Sequence, residues 1–476
     1  MRFPGFIGPS YTLRSVNIDC QRCINLYPEV NESGKGKEAE VVAYHGTPGL
    51  ATLATLGTGP IRGIYEAANG NLYVVSGSKL YSVSSAWVGT ELGTLNSSSG
   101  PVSMADNGID LMVVDGGDGY FVLMSSGAFV EITDPDFTGA DQVVCIDRYF
   151  IWNLPGTGQF GYAGPLSRTI DATDFAEAEG SPDELVAVAN QQRDLWLFGS
   201  RSIEVFYNSG EADNTFQRIQ GAYIEQGCAA PFSVAKLDGN MMWLGRDRDG
   251  ACIIYRARGY QPERVSTHAV EFAIAGYGDV SSATAYTYQD GGHFFYVINF
   301  DEAETTWVYD QSTNMWHERS YLNDGVLERH RGACHAYAHS KHVVGDYETG
   351  KLYELSSTIY TDDGTQMVRR RRAPHLSSGG DRIFYHEFRL DMEFGTGLDG
   401  GVQGSDPQVM LRFSDDGGHT WSNEKWTGCG KIGQTKRRAI WRRLGASRDR
   451  VFEITISDPV KIAVIGADVL FEKGGS

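Results

Sequence analysis

The chain has 476 residues and a formal net charge of −19 with a pI near 5.0, which argues against a general nucleic-acid binder wrapped on phosphates. It is too long for one compact core unless its architecture repeats. With 41% hydrophobic and 12% aromatic residues, 58 Gly against 15 Pro and no long helical period, it reads as all-β.

The charge is uneven. Residues 368–476 hold 18 Lys+Arg and 14 Asp+Glu, so of 41 basic and 60 acidic residues 23 and 46 fall in 1–367. The first part carries about −23 and the end about +4, the mark of two domains with different neighbours or of a solvated acidic surface. Seven cysteines, an odd number, stand at 20, 23, 145, 228, 252, 334 and 429, several inside apolar strands where a free thiol behaves as a small hydrophobe. That pattern points to folding in a reducing compartment rather than to a disulfide frame. Met1–Leu13 lacks the apolar core of a signal peptide, and no apolar run approaches the ~20 residues that span a bilayer. The expectation is a soluble protein, made in a cytoplasm and without a membrane partner.

Residues 1–58 read as an N-terminal extension: turn-rich RFPGFIGPSY, then CQRCINLYPEV, a polar and mobile loop NESGKGKEAE, and the apolar run Val41–Tyr44 ahead of HGTPGL. Cys20-x-x-Cys23 has no second CxxC, no nearby His pair and no βαβ context, so it reads as structural rather than as a ligand pair.

From about residue 60 a period appears. Hairpins start near 71, 110, 148, 194, 241, 293 and 341, most preceded by a further short strand and several followed by a fourth. The clearest is Asp194–Gly210. Leu195 and Leu197 point one way and Trp196 and Phe198 the other, as in a strand covered on both faces, and a turn at Gly199-Ser200 leads to Ile203, Val205 and Tyr207 on one face. Three to four strands every 40–50 residues match the blades of a β-propeller, in which stacked small sheets cover one another. About seven blades over 59–366 are expected, with Val41–Tyr44 offered as the strand that completes the last one; a series of β-sandwiches is the alternative. Asp310 opens a turn before Trp316, a pattern that resembles kelch-type blades.

After Gln366 the sequence changes. Arg369–Arg372 form a run of four, and residues 367–476 carry longer, cleanly alternating strands that read as an antiparallel β-sandwich. The arginine run is expected to face a protein interface, with solvent and nucleic-acid phosphate as alternatives.

No catalytic, cofactor-binding or metal-binding residue is nominated. Ser414, Asp416, Gly418, Thr420 and Trp421 match the Asp-box pattern of sialidases, which is structural there and occurs once here, and paired carboxylates cannot be singled out. His330, His335 and His339 lack a further carboxylate ligand, and Asp115–Gly119 lacks the distal acid of a calcium loop, so both read as ordinary strand and turn residues. No GxSxG, Walker or GxGxxG motif stands in a suitable context.

Four segments together resemble one family: CINLYPE at Cys23–Glu29, TPGL at Thr47–Leu50, Leu195–Gly210, and ISDPVKIAVIGADV at Ile456–Val469. They are similar to the packaged-DNA stabilisation proteins of short-tailed phages, also called tail hub or tail accessory factors. The resemblance implies a non-enzymatic virion protein of the tail, assembled in the host cytoplasm, that closes the portal channel after packaging and retains the DNA. It further implies a homo-oligomeric ring, commonly a hexamer, beneath a portal adaptor ring, with a needle or plug and fibres or spikes attached. DNA would pass through its channel without sequence-specific binding; an acidic lining would suit that passage. The competing readings are a tail-associated, sialidase-like enzyme that degrades host polysaccharide, and a non-viral propeller scaffold.

Overall fold

The computed structural model describes residues 1–31, 40–171, 173–178, 180, 182–211, 214–246 and 250–474; most of the polar stretch Asn31–Glu40 lies outside them. The described residues build seven antiparallel blades followed by a sandwich. Blades 1 to 6 occupy residues 61–94, 103–131, 143–177, 185–224, 227–264 and 284–319. One helix, His268–Ala275, follows blade 5, its first turn capped by the Thr267 hydroxyl, which accepts from Val270 N.

Blade 4 shows why the pattern folds this way. Asp194–Gly199 pairs with Ile203–Asn208 on one side and Leu185–Gln191 on the other. Leu195 and Leu197 pack with Ile146 and Phe160 of blade 3, while Trp196 and Phe198 pack with Met241 and Trp243 of blade 5. Each inner strand is thus sealed on both faces by its neighbours, and the continuous WLF run follows from that.

Blade 7 comprises Gly332–Ala338, Lys341–Asp346 and Lys351–Ser356, and its fourth strand is Gly49–Thr55. The ring therefore closes with a strand just downstream of the expected Val41–Tyr44. Leu50 packs with Val344, Tyr353 and Leu355 between blades 6 and 7, and Leu53 and Ala54 pack between blades 7 and 1. Tyr44 goes elsewhere because its buried hydroxyl needs partners, and it finds them in the sandwich, accepting from Gly8 N at 2.6 Å.

The sandwich draws on both ends of the chain. One sheet runs in the order Leu26–Asn31, Glu40–Gly46, Ala463–Lys473, Ile383–Met392, Ala439–Arg442. The facing strands are Cys20–Ile24, Arg369–Arg372, Asp449–Ile456, Gln408–Ser414 and Lys425–Gly428. Between them lies a core that includes Phe3, Phe6, Tyr44, Phe388, Trp441 and Phe452. The second sheet does not stop at the domain edge. Ile24 pairs in parallel with Glu318 of Met315–Arg319, the last strand of blade 6, so blade and sandwich form one hydrogen-bonded sheet.

Candidate functional site at the propeller–sandwich seam

Arg369–Arg372 is a central strand of that shared sheet, and it faces the protein's own interior rather than a partner. Strand alternation sends Arg369 and Arg371 to one face, where they are 1% and 0% exposed, and Arg370 and Arg372 to the other. Arg371 donates to the carbonyls of Phe6 at 2.7 Å, Pro9 at 2.9 Å and Gly5 at 2.9 Å, and its guanidinium lies 5.7 Å from the Tyr44 ring. Arg369 donates to the carbonyls of Asp458 and Tyr360, both at 3.1 Å. These arginines clamp the N-terminal segment and the loop after blade 7 onto the sandwich.

On the other face the acids are Glu453, fully buried, and Glu318. Glu453 takes Arg372 Nε at 2.8 Å, Arg412 Nε at 2.7 Å and Arg370 Nε at 3.4 Å. Glu318, from blade 6, takes Arg22 Nε at 3.1 Å and the Ser10 hydroxyl at 2.8 Å. Burial disfavours its charge, yet the Arg22 guanidinium holds the carboxyl below its ordinary value. The Asp-box turn completes the cluster. Asp416 accepts from Ser414 Oγ at 2.7 Å and Thr420 N at 2.8 Å, and Trp421 lies 4.6 Å and 4.7 Å from the guanidinium carbons of Arg372 and Arg412. Its work here is to fasten a hairpin over the arginines.

Cys20 and Cys23 are buried and unpaired in the same region. Burial pushes the Cys23 thiol up to about 12, so it is an inert packing group. The three histidines do not meet at one centre. His335 Nε2 lies 3.0 Å from His342 Nδ1, His339 sits in a left-handed turn beside Val83 O, and His330 is buried with its Nε2 unpartnered. Among the described residues no group of three or more His, Cys, Asp or Glu could hold a metal ion. Asp115 accepts from Asp118 N in a hairpin turn of blade 2. Among the described residues no helix is long and apolar enough to cross a membrane.

Two cavities, of about 250 and 480 Å³, are lined by first strands of the seven blades and so mark the propeller axis. Phe232, from the short turn Pro231–Ser233, lines both, and Gln142 of blade 3 donates to Pro231 O at 2.9 Å while accepting from Val188 N. The lining of these two cavities holds Arg62, Lys236 and Arg329 together with the carboxylate of Asp301.

The acids that anchor the arginine run escaped notice in the sequence, although Glu453 inside VFEITIS was the signal. An acid amid an alternating apolar strand requires a cationic partner.

Fold and seam together define a two-domain β body in which blade 6 and the sandwich share one sheet. The chain belongs to the bacteriophage P22 Gp10 family: the model described as the Gp10 β-propeller matches residues 20–360, and that of the Gp10 β-sandwich matches residues 369–472. It is thereby a phage virion structural protein. No curated protein matches. Among solved structures, the WD40 β-propeller domain of Doa1 is similar at 11% identity over 64% of this chain and 96% of that one, with a TM-score of 0.39. The β-propeller domain of Myceliophteria thermophila Cps50 (Swd1) is similar at 10% identity over 64% and 99%, with a TM-score of 0.41. The extracellular domain of the one component system BT4673 from B. thetaiotaomicron is similar at 10% identity over 79% and 47%, with a TM-score of 0.45.

Proposed function

We propose that this protein is the tail hub of a short-tailed phage. Six copies form a ring beneath the portal adaptor ring, close the channel after packaging, retain the DNA, and carry the needle or plug and the fibres or spikes. The protein does this without catalysis. The observation that carries the reading is the match of both domain models, in order, over nearly the whole chain. In this reading the genome's path is the lumen between copies.

The test is a phage lacking this chain. Its heads should package DNA and then lose it, becoming nuclease-sensitive, and the purified protein added back should restore protection and appear as a six-fold ring below the portal in micrographs. Heads that keep their DNA without it would sink the proposal. Release of sugars from host polysaccharide by the purified protein would instead support the enzyme reading.

A further inference from the structure

With Arg369–Arg372 turned inward, the sandwich presents a different basic surface. Residues 431–438 are all exposed, and among them stand Lys431, Lys436, Arg437 and Arg438. No ion pair engages any of the four among the described residues. The loop is fixed in place: Gly433 N donates to Gly395 O at 3.1 Å, and Gln434 N to Lys431 O at 2.9 Å. Within it Ile432 is 60% exposed, and so is Trp426, on the edge strand Lys425–Gly428 that precedes the loop. An exposed indole on the strand leading into a loop of unpaired cations is the composition of an interface anchor, since aromatic residues and Arg dominate binding hot spots.

The complementary surface is on the propeller. The outer edge of blade 2, Ala128–Glu131, carries a surface pocket of about 300 Å³ with Phe121, Val130 and Ile132 in its lining together with Glu131 and Asp134. Val130 is 53% exposed, and neither acid has an ion-pair partner among the described residues. The one cation there, Arg168, is already tied to buried Asp110. The ribbon belongs to the domain of about +4 and the pocket to the part of about −23.

We infer that the Lys431–Arg438 ribbon, with Trp426 as its anchor, docks into the blade 2 pocket of a second copy of this chain. Two different patches meet, so the contact is heterologous and propagates head to tail, closing a ring where the rotation allows. The inference rests on the ring reading only for that closure.

The test uses two charge-reversed full-length variants followed by sedimentation velocity at low and high salt. In one, Lys436→Glu and Arg438→Glu reverse the ribbon; in the other, Glu131→Lys and Asp134→Lys reverse the pocket. All four positions are on the surface, and circular dichroism confirms folding. Wild type should self-associate, less so at high salt. Each variant alone should lose self-association by about tenfold or more, and an equimolar mixture should regain it, because every contact then joins opposite charges. Trp426→Ala should weaken association without salt dependence of the loss.

A mixture that stays monomeric, or a ribbon variant that associates like wild type, overturns the inference; in the latter case a ring still seen by microscopy leaves the hub reading standing. A wild type that never associates overturns the inference, whereas the hub reading stands or falls on the add-back of protein to heads. Salt-sensitive binding of duplex DNA that the ribbon variant loses, with self-association unchanged, assigns the ribbon to phosphate and overturns the inference as well.

Discussion

Trp196 lies 1% exposed between blades 4 and 5, its ring 6.2 Å from Phe198 and 5.9 Å from Tyr260, and its indole N–H has no hydrogen-bond partner. Its contribution is therefore apolar. Trp196→Ala should cost about 3–5 kcal/mol and lower the melting temperature, whereas Trp196→Phe should cost much less; equal melting temperatures for the two would refute a packing role. Protonation acts on the seam between blades 6 and 7. Burial, with the Arg319 guanidinium nearby, holds His317 and His330 well below the ordinary imidazole value, and burial takes His335 down to about 3. The stability these neutral rings contribute is complete above the unfolded value near 6.5 and is lost as pH falls below it. Asp362 opposes them. Burial pushes it up to about 7, so between its unfolded value and pH 7 the folded chain holds a proton the unfolded chain lacks. Three rings against one carboxyl give a net loss on acidification, and the urea midpoint should fall between pH 7 and pH 5. His375 works at the other end. Its contact with the Cys20 thiol and its hydrogen bonds to Asp449 and Val16 O raise it to about 9, so its contribution is complete below 6.5 and is lost as pH rises through 9. His375→Gln should flatten the alkaline limb and leave the acid limb alone.

At the scale of the element, the blade pattern was legible because an inner strand of each blade is covered on both faces, and that apolar run repeats. Which N-terminal strand closes the ring was not, since Val41–Tyr44 and Gly49–Thr55 are both short, apolar and equally near in sequence. The choice is made by contacts at single residues. A Cβ at Gly49 would lie 2.5 Å from the carbonyl oxygens of Ile359 and Thr361, so only glycine lets this strand lie against the loop after blade 7. Gly49→Val should release the closing strand, read as faster proteolysis near residue 55 and a lower melting temperature, with the sandwich strands still protected from hydrogen exchange. Early exchange of Tyr44 together with Leu50 would contradict this. The arginine run misled for a related reason. Four like charges in a row usually mark a solvated segment; here Arg370 and Arg372 meet Glu453, and Arg369 and Arg371 meet backbone carbonyls such as those of Asp458 and Phe6, partners that no local pattern joins to them.

For the whole molecule, the pairing of Ile24 with Glu318 and of Cys20–Ile24 with Arg369–Arg372 makes blade 6 and the sandwich one sheet. Calorimetry should accordingly show a single transition, and two resolved peaks would mean the domains unfold independently. The same connectivity sets the order in which the protein can come into being. Gly49–Thr55 pairs with Lys351–Ser356, and Tyr44 and His45 pair with Val464 and Ala463. At roughly 5–20 residues per second, about 15–60 s pass between synthesis of the closing strand and of its partner. For that interval the first 55 residues wait with bare strand edges, and the sandwich half of their pairing comes later still. A chain released early therefore lacks a closed propeller and a finished sandwich alike. Synthesis of Ala463–Lys473 becomes a checkpoint, since no copy has a finished sandwich before that strand is made.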